Sequence, residues 1–180
     1  MEHGRTKKNV TIITEGSFDA SVLNKLLKDR KYNVGFNVLP ASGYSSALSK
    51  VRTILSQNGD RKIILLLDAD TTDPLKIAEK KDFVNSYIDA KANNENIKTV
   101  WAIPEFEIIF LTNEKFMKEL THAHIDKSLV EIGKNAPKKM LESISDLSKN
   151  DYMSILNDKE IADDFFHAGL IKEIDDLIEA

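Results

Sequence analysis

The chain has 180 residues, 42% of them hydrophobic, with no cysteine and a formal net charge of −4. That is enough apolar material for one ordinary domain that buries about 70% of its unfolded surface, and the lack of thiols excludes a disulfide framework, a cysteine zinc site and thiol catalysis. Apolar runs are too short to cross a bilayer and none follows a basic start, so a cytoplasmic protein without membrane segments is expected.

Charge is unevenly spread: residues 151–180 carry net −7 and residues 1–150 net +3. The first part therefore remains compatible with phosphodiester binding, because the electrostatic footprint of such a site is local. Residues 1–8, with Arg5, Lys7 and Lys8, read as a polar arm. Asn9–Thr14 is a first strand ending at Glu15 and Gly16, and Ser17 is placed to cap a helix bearing Val22, Leu23, Leu26 and Leu27. Asp19 falls in the first turn of that helix, where the dipole favours a carboxylate. Asn33–Leu39 reads as a second strand. The turn from Pro40 to Ser46 leads into a helix with Leu48, Val51, Ile54 and Leu55. Gly16, Gly43 and Ser45 lie where backbone amides and a hydroxyl at helix starts suit a phosphate, although a plain turn with capping serines needs the same residues.

Ile63–Leu67 is an unbroken aliphatic run, as in a strand covered on both faces, and it runs directly into Asp68 and Asp70. Ligand sites of open α/β sheets lie beyond the carboxyl ends of the strands. In an extended segment residues i and i+2 point the same way, so both carboxylates are expected to reach one hard cation, Mg²⁺ or Mn²⁺. Pro74 suits the first turn of a third helix reaching about Lys91, and Ile97–Ile103 is a fourth strand followed by Glu105 and Glu107. From residue 113 the pattern is helical only.

The expected fold is therefore α/β: an open sheet of four mainly parallel strands flanked by helices, residues 1–112, with a helical extension over 113–180 packed on it. A 2-1-3-4 strand order would set Glu15 beside Asp68 and Asp70. Carboxylates crowded in this way repel one another, and a cation resolves the repulsion. Without one, Glu15 is a candidate general acid or base. The acidic, amphipathic end from Asp163 to Glu179 suits either a docking helix for a partner or packing on its own domain. Lys134, Lys138 and Lys139 suit a solvated face or phosphate contacts, and His3, His122, His124 and His167 read as surface or core-edge residues.

Glu15, Gly16 and Asp19 after the first strand, the Gly43 turn after the second, and Asp68 and Asp70 after the third together resemble the Toprim domain of topoisomerases, bacterial primases, ribonuclease M5 and overcoming-lysogenization-defect (OLD) nucleases. The resemblance spans residues 9 to about 111. It implies a metal-binding or acid/base role for Glu15, Mg²⁺ binding by Asp68 and Asp70, and a supporting metal ligand in Asp19. The segment Phe106–Leu111 resembles one found in small defence-associated Toprim proteins, with Ile109 in place of their tryptophan, and this makes Glu107 a further site residue. The activity implied by the resemblance is that of a Mg²⁺-dependent nuclease acting on DNA or RNA in a bacterial or phage-related defence system. A separate ATPase subunit is an implied partner, since no phosphate loop of the Gly-x-x-x-x-Gly-Lys-Ser/Thr type occurs, and a homo-oligomer is compatible with it.

Two rival readings share these residues. Asp68, Asp70 and Thr72 also fit the Asp-x-Asp-x-Thr signature of haloacid-dehalogenase-like phosphatases, whose motif follows the first strand rather than the third. A binding or regulatory module with an unused acidic cluster is the non-enzymatic reading. A glycosyltransferase holding a nucleotide-sugar metal through Asp68 and Asp70 is a further possibility, weakened by the chain's size.

Overall fold

In the computed structural model the described residues are 9–57, 61–89, 96–122, 126–144 and 148–180. The arm with His3, Arg5, Lys7 and Lys8 lies outside them, as does His124. The elements run β1 (Val10–Thr14), α1 (Ser17–Leu27), β2 (Phe36–Pro40), α2 (Tyr44–Gln57), β3 (Lys62–Asp68), α3 (Pro74–Asp89) and β4 (Ile97–Ala102). They continue with α4 (Ile108–Thr112), α5 (Glu114–Thr121), α6 (Lys127–Gly133), α7 (Pro137–Ile144), α8 (Lys149–Ile155), α9 (Lys159–Asp164) and α10 (Gly169–Glu179).

The four strands form one parallel sheet in the order β2-β1-β3-β4. The two central strands are β-branched and aliphatic: Val10 to Thr14 and Ile63 to Leu67 are buried without interruption. Burial on both faces explains that lack of alternation, since helices cover the sheet above and below. Side-chain alternation then sorts the strand residues into two cores. Val10, Ile12, Ile64, Leu66, Val100 and Ala102 pack with α1 and the C-terminal helices, whereas Ile13, Ile63, Leu65, Leu67 and Ile97 pack with α2 and α3.

Two local expectations shift, and one alternative is decided. The second strand begins at Phe36 rather than Asn33, because residues 31–35 serve as the approach to it, with Gly35 C=O accepting from Val10 N–H at 2.9 Å. Gly16, not Ser17, occupies the N-cap of α1: its backbone N–H donates to Asp19 Oδ2 at 3.1 Å, so the first-turn carboxylate reaches back to the cap. The acidic end forms α10, which turns Ile171, Ile174 and Ile178 into the core and buries Asp175 as well. This helix packs on its own chain.

The C-terminal helices meet the sheet through an aromatic cluster centred on Phe110. Its ring lies 4.7 Å from that of Phe116, 5.3 Å from Tyr152, 6.0 Å from Phe18 and 6.1 Å from Phe165, mostly tilted or edge-on. Among the described residues no helix is long and apolar enough to cross a membrane.

Candidate active site at the carboxyl edge of the sheet

The strand order places a crevice between β1 and β3. The chain leaves β1 through α1 on one face and leaves β3 through α3 on the other, so the two exit loops part at the carboxyl ends of adjacent strands. Such a switch point is where open α/β sheets bind ligands. Glu15 stands at one lip and Asp68 at the other.

Glu15 is held from both sides. Its backbone C=O accepts from Gly43 N–H at 2.9 Å and its side-chain Oε1 accepts from Asp68 N–H at 2.8 Å. Asp68 is the last residue of β3, and its Oδ1 accepts from Phe106 N–H at 2.9 Å. Each carboxylate thus commits one oxygen to a backbone donor of another segment and has a second oxygen for a further partner. These hydrogen bonds stitch the ends of β1, β3 and the loop after β4 into one frame.

Asp70 behaves differently from an extended i+2 neighbour. The chain stays parallel to the loop after β4 for two more residues, with Ala69 N–H to Ala102 C=O at 2.9 Å and Asp70 N–H to Pro104 C=O at 2.7 Å. It then turns at Asp70 through φ +54°, a left-handed conformation that aspartate tolerates better than most residues. The turn directs the Asp70 carboxylate outward, where its side chain is 70% exposed and its Oδ2 accepts from Lys80 Nζ at 2.7 Å. The expectation of two parallel carboxylates on an extended strand end is corrected accordingly.

Electrostatics names the carboxylates that share the space. Burial, and then the charges of Asp19, Glu15, Glu107 and Asp70, push the Asp68 carboxyl up to about 8. Burial raises Glu15 against the opposing hydrogen bond from Asp68 N–H. Asp70 and Asp19 add to the rise, while Lys80 works against it. Glu107, at the N-cap of α4, is raised by burial and by Glu105 and Asp19. The charges of Asp19, Glu15, Glu107 and Asp70 are therefore all felt at Asp68, at the carboxyl edge of the sheet.

Other residues play parts the sequence did not suggest. Lys80, two turns into α3, neutralises Asp70. Glu105 accepts from Lys138 N–H at 2.9 Å, fastening the start of α7 to the site loop. Tyr44, Asp70, Lys76, Lys80 and Phe83 line an open cleft of about 730 Å³ beside the acidic cluster. The glycines considered for phosphate are already engaged: Gly43 N–H donates to Glu15 and Gly16 N–H to Asp19, while Ser45 is exposed in the first turn of α2. Lys134 pairs with Glu131, and His122 and His167 are exposed.

The donor chemistry fits a hard divalent cation. The cluster consists of oxygen ligands, and its carboxyls are raised first by burial and then by one another's charge, the part that a cation would relieve. Among the described residues no three of these side chains converge on one point; Asp70 is turned outward to Lys80.

No protein-family model matches the chain, and no curated protein does. Among solved structures it is similar to the C-terminal region of the Xanthomonas campestris pv. campestris OLD protein, with a TM-score of 0.54 and 14% sequence identity. The likeness covers 97% of this chain and 95% of that one. At this identity it is a likeness of fold.

Proposed function

We propose that the chain is a Toprim-type, Mg²⁺-dependent phosphodiesterase that cuts nucleic acid. One observation carries this reading: Glu15 and Asp68 meet at the switch point of the sheet, with Glu15 bonded to the backbone of Asp68 and the charges of Asp19, Asp70 and Glu107 felt at the Asp68 carboxyl. The sequence resemblance to Toprim proteins, which include OLD nucleases, and the fold likeness to part of an OLD protein support the same direction. A role in bacterial or phage-related defence rests on the resemblance alone.

Asp68 would hold the ion, with Asp19 and Asp70 as further ligands; when bound, such an ion polarises a phosphoryl oxygen and lowers the pKa of its water. Glu15 is the proton carrier of this scheme. Its Oε1 is fixed by Asp68 N–H and its carboxyl is raised above the usual range, so its other oxygen takes the proton of the attacking water. The water oxygen bonds to phosphorus, the bond from phosphorus to the leaving oxygen breaks, and the leaving oxygen takes a proton from bulk water while Glu15 returns its own to solvent. The phosphatase reading gives Glu15 no part to play.

The test is cleavage of labelled single-stranded DNA, duplex DNA and total RNA with Mg²⁺ or Mn²⁺. Asp68→Asn and Glu15→Gln should each lower cutting by about 100-fold or more, with circular dichroism unchanged. Undiminished cutting by both variants refutes the assignment, and release of inorganic phosphate from a small monoester without phosphodiester cleavage favours the phosphatase.

A further inference from the structure

Helix α3 carries a stripe that the catalytic reading does not use. Lys76, Lys80, Phe83 and Tyr87 recur at helical spacing on one side, roughly 90° away from the face that buries Val84 and Ile88. Phe83 is 57% exposed, so its ring is open to solvent. Its ring stacks on that of Tyr87, with centroids 6.4 Å apart and planes 29° from parallel. From the neighbouring helix α2, Arg52 lies over the Tyr87 ring at 5.4 Å and donates to the Tyr87 hydroxyl at 3.1 Å. At its other end the stripe meets the acidic cluster, since Lys80 pairs with Asp70 and Tyr44, Asp70 and Phe83 border one cleft. Lys76 to Tyr87 spans about 16 Å along the helix axis.

We propose that this face is a binding track for single-stranded nucleic acid leading to the catalytic carboxylates, a reading that rests on nucleic acid being the substrate. Cations complement the phosphates, and the exposed Phe83 ring, backed by Tyr87, receives an unstacked base, the combination that holds single strands without sequence preference. A duplex keeps its base faces internal and cannot use Phe83. Glu79 also borders the cleft, at the edge of the stripe, where it disfavours phosphate and confines the backbone to the Lys76 and Lys80 side. When a strand is seated, Lys80 exchanges Asp70 for phosphate, which also frees the Asp70 carboxylate.

The experiment is fluorescence anisotropy of labelled single-stranded DNA, single-stranded RNA and duplex DNA with the whole chain in EDTA, where cleavage is suspended. Single strands, of DNA, RNA or both, should bind more tightly than duplex. Phe83→Ala should weaken them roughly 5- to 100-fold, and Lys76→Gln and Arg52→Gln should each reduce the salt slope by about 1. Leu129→Ala, exposed on α6, is the control. Equal or tighter binding of duplex, or unchanged affinity in Phe83→Ala, overturns the track. Failure of every oligonucleotide to bind also overturns it, and a Phe83-dependent change in self-association would then mark the face as a protein contact. A parent protein that binds single strands through Phe83 but cuts nothing with any metal loses the catalytic reading and keeps the track; one that cuts while Phe83→Ala binds like the parent does the reverse.

Discussion

Asp68 is the residue where the chemistry of the site and the stability of the fold meet. Folding raises its carboxyl from the ordinary range to about 8, chiefly through burial and then through its acidic neighbours. Between about pH 4 and pH 8 the folded protein keeps a proton there that the unfolded chain releases, so the stability contribution is complete below pH 4 and is lost as pH rises through 8. One pKa unit corresponds to about 1.4 kcal/mol, so even a fraction of this shift is worth about 1 to 3 kcal/mol. Metal-free protein should therefore melt at a higher temperature at pH 5.5 than at pH 8. Asp68→Asn retains an oxygen for Phe106 N–H and cannot ionise; it should raise the melting temperature at pH 8 and flatten that dependence. Added Mg²⁺ should raise the melting temperature of the parent but not of the variant, since only a ligand that prefers the folded state stabilises it. Thermal unfolding in EDTA and in Mg²⁺ checks both, and a variant less stable than the parent at pH 8 contradicts the argument. The position of Asp68 was legible from the sequence because an aliphatic run must end where the strand leaves the core. The outward turn of Asp70 was not, because a positive φ at aspartate leaves no mark on hydrophobic pattern, and its partner Lys80 lies ten residues away on another element.

At the scale of elements, the strands and the first three helices could be read from periodicity, while their fastenings could not. The acidic C-terminal segment illustrates why. Its pattern of Ile171, Ile174 and Ile178 shows an apolar face but not what covers it, and the deciding contact is polar and distant in sequence. Asp175, only 4% exposed, accepts from Arg30 at 2.8 Å and from the Tyr32 hydroxyl at 2.6 Å, and Arg30 lies 4.4 Å over the Phe166 ring. This carboxylate locks α10 to the link between α1 and β2, and burial together with its hydrogen bond holds the Tyr32 phenol above its usual pKa. Asp175→Ala should cost about 2 kcal/mol in urea unfolding, below the full value of a buried pair because Arg30 remains partly in water. Asp175→Asn, which still accepts from Tyr32, should cost about 1 kcal/mol. Lys172→Ala removes an exposed pair with Asp176 on the same helix and should change stability by about 0.5 kcal/mol or less. Equal costs for all three variants would show that the buried contact is not what secures α10.

For the whole molecule, alternating strands and helices were sufficient to anticipate an open parallel sheet, with 2-1-3-4 entering only as the order that would join Glu15 to Asp68, but how the C-terminal helices attach to it depends on aromatic contacts between segments far apart in sequence. Phe110 is fully buried within a cluster that joins Phe18 of α1, Phe116 of α5, Tyr152 of α8 and Phe165 beyond α9. The same apolar core contains Ile12, Ile64 and Val100 of the sheet and Ile174 and Ile178 of α10. A core shared in this way couples sheet and helices, so neither should unfold without the other. The single tryptophan, Trp101, sits in β4 against the opposite core and reports on the sheet, whereas helical circular dichroism reports on the helices that flank the sheet and on the C-terminal ones together. Urea transitions followed by the two signals should coincide. Phe110→Ala, which removes a buried ring with little chance of collapse around it, should lower stability by about 3 to 5 kcal/mol and move both transitions together. Because Phe110 follows Glu105 and Glu107 on the segment that also supplies Phe106 N–H to Asp68, this loss should weaken Mg²⁺-induced stabilisation as well. Separate transitions, with the tryptophan signal persisting after part of the helical signal has gone, would mean that the sheet and its flanking helices stand without the extension.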